Sequence, residues 1–481
     1  MSKQKIKLSD HFTFPKLLRF VLPSIVMMVF TSIYCVVDGL FVSNFVGKTG
    51  FAAINLIMPF IMVLGGMGFM LGTGGTALVS KILGEGDKPR ANRVFSVMIW
   101  ATVLLGLMLT AVGVIFVRPV AYFFGATDEM IGDCVLYGRI VMSFTAAFML
   151  QNVFQSFLIA AEKPKLGLCV TVAAGVTNMV LDALFVGVFR WGVAGAAFAT
   201  GLSQSVGSLI PLFYFLRPNS SLLHMAPTRL EWTPIGQACL NGSSELMSNI
   251  SGSFIAMLYN FQLMELVGED GVSAYGVLMY VQFIFVAIFV GYSIGCAPLV
   301  GFHYGAKNHK ELKNLLGKSV LLMGCSGTVL MGLAMLLSPA LSRLFVGYDA
   351  ALCAMTHHAF MIYSVHFVLA GLNIFASSFF TALNNGGVSA AISFLRTLVF
   401  QSSAVLILPK LLDLDGIWWA TTFAEVMAFL VSMGFLIGMR KSTIISNPDR
   451  IKQLYGDCNA RTDVLQYPDC PKKKRKEGKT T

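Results

Sequence analysis

The chain has 481 residues and a net charge of +11, yet only 12% of it is charged and 56% is hydrophobic. A soluble domain carries about 25% charged residues, so a string of soluble domains is excluded, and apolar runs of about 20 residues or more indicate a polytopic membrane protein. The nine cysteines are odd in number, lack CxxC spacing and lie mostly in apolar runs, which argues against a disulfide framework or a metal centre.

Met1 to Asp10 is polar and basic. Twelve hydrophobic spans follow, near 14–43, 51–83, 92–117, 131–161, 166–188, 192–216, 233–265, 273–303, 312–336, 351–383, 388–411 and 415–439. The first is far longer than a signal-peptide core and ends in no small-residue cleavage site, so it reads as a retained transmembrane helix. The longest linker, Arg217 to Trp232, carries Pro218, Asn219, Ser220 and Pro227 and separates spans six and seven. The expected layout is a cytoplasmic N-terminus (1–13), a six-helix N-lobe (14–216), a cytoplasmic linker (217–232), a six-helix C-lobe (233–439) and a basic cytoplasmic tail (440–481). In span two, Gly65, Gly68, Gly72 and Gly75 share a face, which lets another helix approach at backbone distance or, read functionally, weakens the helix so that it bends.

The two halves repeat at one constant offset of 221 residues. Gly84 corresponds to Gly305, Asn152 to Asn373, and Gly195 in Gly195-Ala196-Ala197 to Gly416 in Gly416-Ile417-Trp418. Six spans per half keep both repeats in the same orientation. With the N-terminus placed inside, the inner segments hold 21 Lys and Arg against 5 outside, leaving out the last 7 of the tail. Both termini are therefore expected in the cytoplasm. The tail run Pro471-Lys472-Lys473-Lys474-Arg475-Lys476 resembles a nuclear address, but beside twelve spans it reads as a solvated basic tail near anionic lipid.

Four acids sit inside apolar spans: Asp38, Asp182, Glu245 and Glu425. A charge at the centre of a membrane helix costs roughly 2.5–3.5 kcal/mol on insertion scales, so each needs neutralisation, a partner or water. Three spans of the first half present polar pairs four residues apart, Tyr34/Asp38, Asn178/Asp182 and Thr200/Gln204, each pair on one helical face. At the repeat offset Asp38 becomes Tyr259, Asp182 becomes Ser403, Tyr34 becomes Ile255 and Asn178 becomes Val399, while Thr200 stays as Thr421. The scaffold repeats and the acid pair does not, which favours a functional role for Asp38 and Asp182. Two buried carboxyls with an asparagine suit a proton held near neutral pH or a sodium ion, since hard cations prefer oxygen ligands. Arg396 is available to neutralise either Glu245 or Glu425, which otherwise would attract cationic solutes. Gln151, Asn152, Gln155, Gln282 and Asn373 are candidates either to line a cavity between the halves or to bridge helices.

The stretch Phe20-Val21-Leu22-Pro23, then Ser32-Ile33-Tyr34 and Val37-Asp38-Gly39-Leu40-Phe41-Val42-Ser43, followed by Leu83-Gly84-Glu85-Gly86-Asp87 and by Asn178 with Asp182, resembles the multidrug and toxin extrusion (MATE) transporters. Their bacterial MepA-like branch is the nearest in pattern. The similarity runs from about Phe14 to Met439. It implies an all-α bundle of twelve helices in two lobes forming a V around a central cavity. The implied activity is export of cationic or neutral amphipathic drugs in exchange for protons or sodium, with no other cofactor. It also implies a coupling network at Asp38, Tyr34, Asn178, Asp182 and Thr200. The expected partners are small-molecule drugs and the lipid bilayer, not nucleic acid, and the expected state is a monomer in the cell membrane. Two departures stand out: span ten carries no acid from His357 to Thr381, and Gln155 stands where some relatives carry a glutamate. A lipid-linked-substrate flippase of the same superfamily would present a basic cavity, whereas only Arg139 and Arg396 lie within spans. An intramembrane aspartyl protease would need its membrane aspartates in YD and GxGD motifs, whereas Tyr34 is four residues from Asp38 and Asp182 follows Leu181.

Overall fold

A computed structural model describes residues 6–441, and every regular element among them is helical. The expected basic tail falls almost wholly outside the described residues. The first half contains α1 (Phe14–Phe45), α2 (Lys48–Gly84), α3 (Lys88–Phe123), α4 (Ile131–Ser143), α5 (Thr145–Ala160), α6 (Pro164–Asp182) and α7 (Gly192–Leu216). The second contains α8 (Trp232–Leu266), α9 (Glu269–Gly305), α10 (His309–Val346), α11 (Ala350–Tyr363), α12 (Phe367–Ala382), α13 (Gly386–Ser393), α14 (Ser402–Ile407) and α15 (Pro409–Lys441). Residues up to Ser432 form one compact unit; the described part of the second, from Met433, is helical.

Among the described residues, 10 helices are long and apolar enough to cross a membrane, and 11 when the bent pair α4–α5 is taken as one span. The expected seventh span is a helix of ample length, 35 residues, but it falls outside that set. Gln237, Asn241, Ser244, Glu245, Ser248 and Asn249 make it too polar to face lipid all round. It packs along α2 and α13, with Asn241 and Ser244 buried and Glu245, Ser248 and Asn249 partly covered. The lipid-facing surface is carried by residues such as Leu104, Ile115, Val329 and Leu336, all exposed, as a bilayer requires.

The 221-residue spacing reappears in the turns. Gly47 and Gly268, Gly86 and Lys307, and Gly192 and Asp413 are pairs at that spacing, and all six have positive φ. Asp87 caps α3 by accepting from the Arg90 N–H at 3.0 Å, and Asn308, its counterpart, caps α10 by accepting from the Glu311 N–H at 3.1 Å. These caps satisfy N–H groups that a helix start leaves without partners. The break between α4 and α5, a bend of 52° at Phe144, has its counterpart at the 3₁₀ turn Ser364–His366 between α11 and α12.

The glycines of α2 settle into packing. Cβ atoms at Gly65, Gly68 and Gly72 would collide with Phe148, Met149 and Val153 of α5, and one at Gly74 would lie 1.9 Å from the Ala238 carbonyl of α8. Helix α2 therefore serves as a spine between the halves, touching α5 on one side and α8 and α9 on the other.

Candidate functional site

Helix α1 packs on α6, α6 on α7, and α7 on α4 and α5. These contacts bring the three polar pairs of the first half together. Asp182 is the last residue of α6 and is fully buried; a π-type stretch, Ala183–Val188, follows it. Such widened turns free backbone positions beside functional groups. The Asp38 carboxyl of α1 faces Asp182 and Asn178. The Tyr34 hydroxyl lies toward Cys35 and Gln151. Tyr137 of α4, itself buried, approaches Thr200 and both carboxyls.

None of these approaches closes into a well-formed hydrogen bond. Asp38 Oδ1, Asn178 Oδ1, both carboxylate oxygens of Asp182, Thr200 Oγ1, Gln151 Oε1 and Gln204 Oε1 are all buried without a partner. Buried polar atoms are normally paired, so this convergence of unpaired oxygens sets the cluster apart from an ordinary structural hydrogen-bond network.

Asp38 is the member of this cluster that reaches open space. It lines a cavity of about 600 Å³ together with Cys35, Asn55, Tyr280 and Gln282. The cavity lies between the later part of α1, the start of α2 and the early part of α9, in the half of the bundle away from the N-terminus. Gln282 and Val286 also border a second cavity of about 190 Å³, lined by Glu245, Ser248, Thr381, Ser393 and Arg396 among others. Gln282 is held by the Tyr363 hydroxyl, which donates to its Oε1.

The second-half candidates divide. Glu425, not Glu245, is the partner of Arg396: the guanidinium donates to the carboxylate at 2.6, 2.9 and 3.1 Å. Asn373 adds a bond at 2.7 Å to Glu425 Oε2 and one at 2.9 Å to its carbonyl. Both Glu425 and Asn373 are buried and bridge helices, whereas Glu245 lies on the wall of the smaller cavity. Gln151, Asn152 and Gln155 are buried in α5. Gln151 and Gln155 border a tight crevice against α6 and α7, and Gln151 serves the Tyr34 end of the cluster. At the position matching Asp38, Tyr259 makes a 2.6 Å hydroxyl pair with Thr421, to which Gln401 also donates at 3.3 Å. The residues missed from sequence are Tyr137 and Cys35. Tyr137 carried one signal, a phenol in an apolar span that needs a partner when buried.

A family model described as MatE matches residues 23–184 and 246–404, more than half of the chain. The chain belongs to the MatE family. It is 24% identical over 424 residues to the multidrug export protein MepA of Staphylococcus saprophyticus, covering 85% of this chain and 91% of that protein. The MepA of Staphylococcus haemolyticus is 22% identical, with 91% and 96% covered. Among solved structures, an outward-facing multidrug resistance MATE transporter superposes with a TM-score of 0.86 at 22% identity, covering 93% of this chain and all of that one. A Pyrococcus furiosus transporter of the MOP superfamily gives 0.84 at 22% identity, with 93% and 100% covered. This MatE chain is thus an all-α, multi-pass membrane transport protein and not an enzyme.

Proposed function

We propose that this MatE transporter exports cationic or neutral amphipathic drugs and xenobiotics by cation-coupled antiport with alternating access. The observation that carries the reading is the placement of Asp38, one face on the 600 Å³ cavity and the other toward fully buried Asp182. A proton or sodium ion entering from the cavity would sit among Asp38, Asn178, Asp182 and Thr200, with Tyr34 and Tyr137 bounding the cluster. Neutralising the carboxyls removes the cost of holding charge in a closed, dry site. The loaded site then tolerates closure and the empty one resists it, which couples ion to drug. One charge moving through 100 mV supplies about 2.3 kcal/mol, enough for a roughly fiftyfold gradient of a neutral solute.

The two six-helix lobes (14–216 and 233–439), joined by the 217–232 linker, would rock about the α2 spine. The drug path would run past Gln282 and Glu245, with Gln151, Asn152, Gln155, Asn373 and Glu425 supporting the walls. The protein would act as a monomer in the cell membrane with both termini cytoplasmic, so the large cavity would open outward. Among the described residues no lysine or arginine lines that cavity, which counts against a lipid-linked pyrophosphate as substrate.

The test is export of a fluorescent cationic dye from proteoliposomes with pH and sodium gradients imposed separately. One gradient drives export and the other does not, and Asp38→Asn abolishes the driven component while inserting normally. Undiminished export by Asp38→Asn would refute the coupling role.

A further inference from the structure

At the end of the bundle that bears the N-terminus, the residues before α1 lie in an ordered path across both halves. The Leu8 N–H donates to Glu162 Oε1 at 2.8 Å, and Glu162 sits at positive φ in the turn between α5 and α6. Four residues on, the Phe12 N–H donates to Glu311 Oε1 at 2.9 Å, while His11 Nδ1 lies 2.6 Å from Glu311 Oε2. Asn314 and Lys318 of α10 both donate to the Phe12 carbonyl. Leu8 and Phe12 are fully buried, and the Phe12 ring meets His303 of α9 edge-on. A polar tail end would not normally be ordered unless tied down; here it is tied to the first half by Glu162 and to the second by Glu311.

Beneath it the halves are pressed together. A Cβ at Gly84, the end of α2, would lie 2.0 Å from the Phe302 carbonyl of α9. One at Gly305, the end of α9, would lie 2.0 Å from the Lys81 carbonyl of α2. The Asn384 amide closes the same region by donating to the Ala77 carbonyl at 3.2 Å and accepting from Asn241 at 2.7 Å. These contacts bring the two halves to backbone distance at this face.

We propose that residues 6–13 are a strap that positions the two halves in this closed arrangement, anchored by Glu162 and Glu311, and that one anchor must release before the face opens. Glu162 and Glu311 are then positioning residues for transport, remote from both cavities. This rests on the alternating-access reading, so closure and transport are measured separately.

Hydrogen exchange of the full chain in lipid nanodiscs reads closure alone. In the unaltered protein, residues 6–13, 77–84 and 300–308 exchange slowly. Removing an acceptor from a charge-assisted bond, in Glu311→Ala or Glu162→Ala, speeds exchange in all three segments by roughly ten- to hundredfold. Glu311→Gln, whose amide oxygen still accepts from Phe12, keeps 77–84 and 300–308 slow. Leu8→Ser, outside every helix, reproduces the faster exchange by loosening the buried strap while leaving every helix residue unchanged. Dye export falls in the variants that open the face. Faster exchange confined to 6–13 would overturn the proposal, as would unchanged export in the opened variants. Failure of the transport reading itself would appear as absent export by the unaltered chain, a result the exchange comparison does not depend on.

Discussion

Removing the Glu425 carboxylate should leave Arg396 as an uncompensated cation inside the bundle. Glu425 and Arg396 have side-chain exposures of 6% and 19%, so water replaces the lost partner only in part. The carboxylate receives three guanidinium contacts between 2.6 and 3.1 Å and an amide bond from Asn373 at 2.7 Å. Breaking one side of a buried pair costs about 3–5 kcal/mol, whereas replacing both partners by apolar groups is often neutral or stabilising. Glu425→Ala and Arg396→Leu should therefore each destabilise by about 3–5 kcal/mol, and Glu425→Leu with Arg396→Leu by much less than their sum. Unfolding free energies in lipid bicelles give the coupling energy directly. The double variant should keep dye export, since neither residue belongs to the first-half cluster. Single variants costing under about 1 kcal/mol, or a double variant as unstable as the sum, would refute the structural role. Loss of export in a stable double variant would assign the pair to the substrate path instead.

Two further outcomes test local geometry. A Cβ at Gly175 would fall 2.5 Å from Phe30 and 2.9 Å from Tyr34, so Gly175→Ala should push the phenol out of the cluster. It should cost about 1–3 kcal/mol by overpacking and lower ion-driven dye export with Asp38 still in place; full export would place Tyr34 outside the coupling network. Lys307 holds φ at 55° where its counterpart Gly86 has φ of 89°. Lys307→Gly should relieve about 1 kcal/mol of left-handed strain, read as a higher midpoint in thermal unfolding.

The membrane topology was legible because apolar runs are a collective signal that single substitutions barely alter. The apolar signal is weakest at α8, whose Ser, Asn and Glu content answers to its neighbours α2 and α13. The bend at Phe144 left no trace, since Ser143-Phe144-Thr145 contains neither proline nor glycine. The acid cluster was legible for an energetic reason: Asp38 and Asp182 are too costly in apolar helices to be incidental. The partner of Arg396 was not, because two acids competed for one cation and only the placement of Arg396, in the π-type stretch Phe394–Gln401 after α13, against Glu425 of α15 decides between them. Tyr137 was missed because a lone phenol in a span costs little, so its one signal is weak.

The repeat offset also explains how one scaffold holds two different interiors. Gly175 and Arg396 are counterparts, as are Tyr34 and Ile255, Gln204 and Glu425, Asn152 and Asn373. In the first half the bare Gly175 backbone makes room for the Tyr34 ring, which bounds the site at Asp38. In the second half the same position carries Arg396, and the Gln204 counterpart is the glutamate that neutralises it. The Asp38 counterpart, Tyr259, is meanwhile closed off by Thr421 at 2.6 Å and stacked on Tyr275 at 4.6 Å. Arg396 and Glu425 thus satisfy each other inside the second half, and the first leaves oxygens unpaired around Asp38 and Asp182. An ion that binds in exchange for a drug needs groups whose partners are missing until it arrives. Among the described residues the buried unpaired carboxylate oxygens belong to the first half, so under the proposed antiport exchanging Gly175 and Arg396 between the halves should abolish coupling, not relocate it.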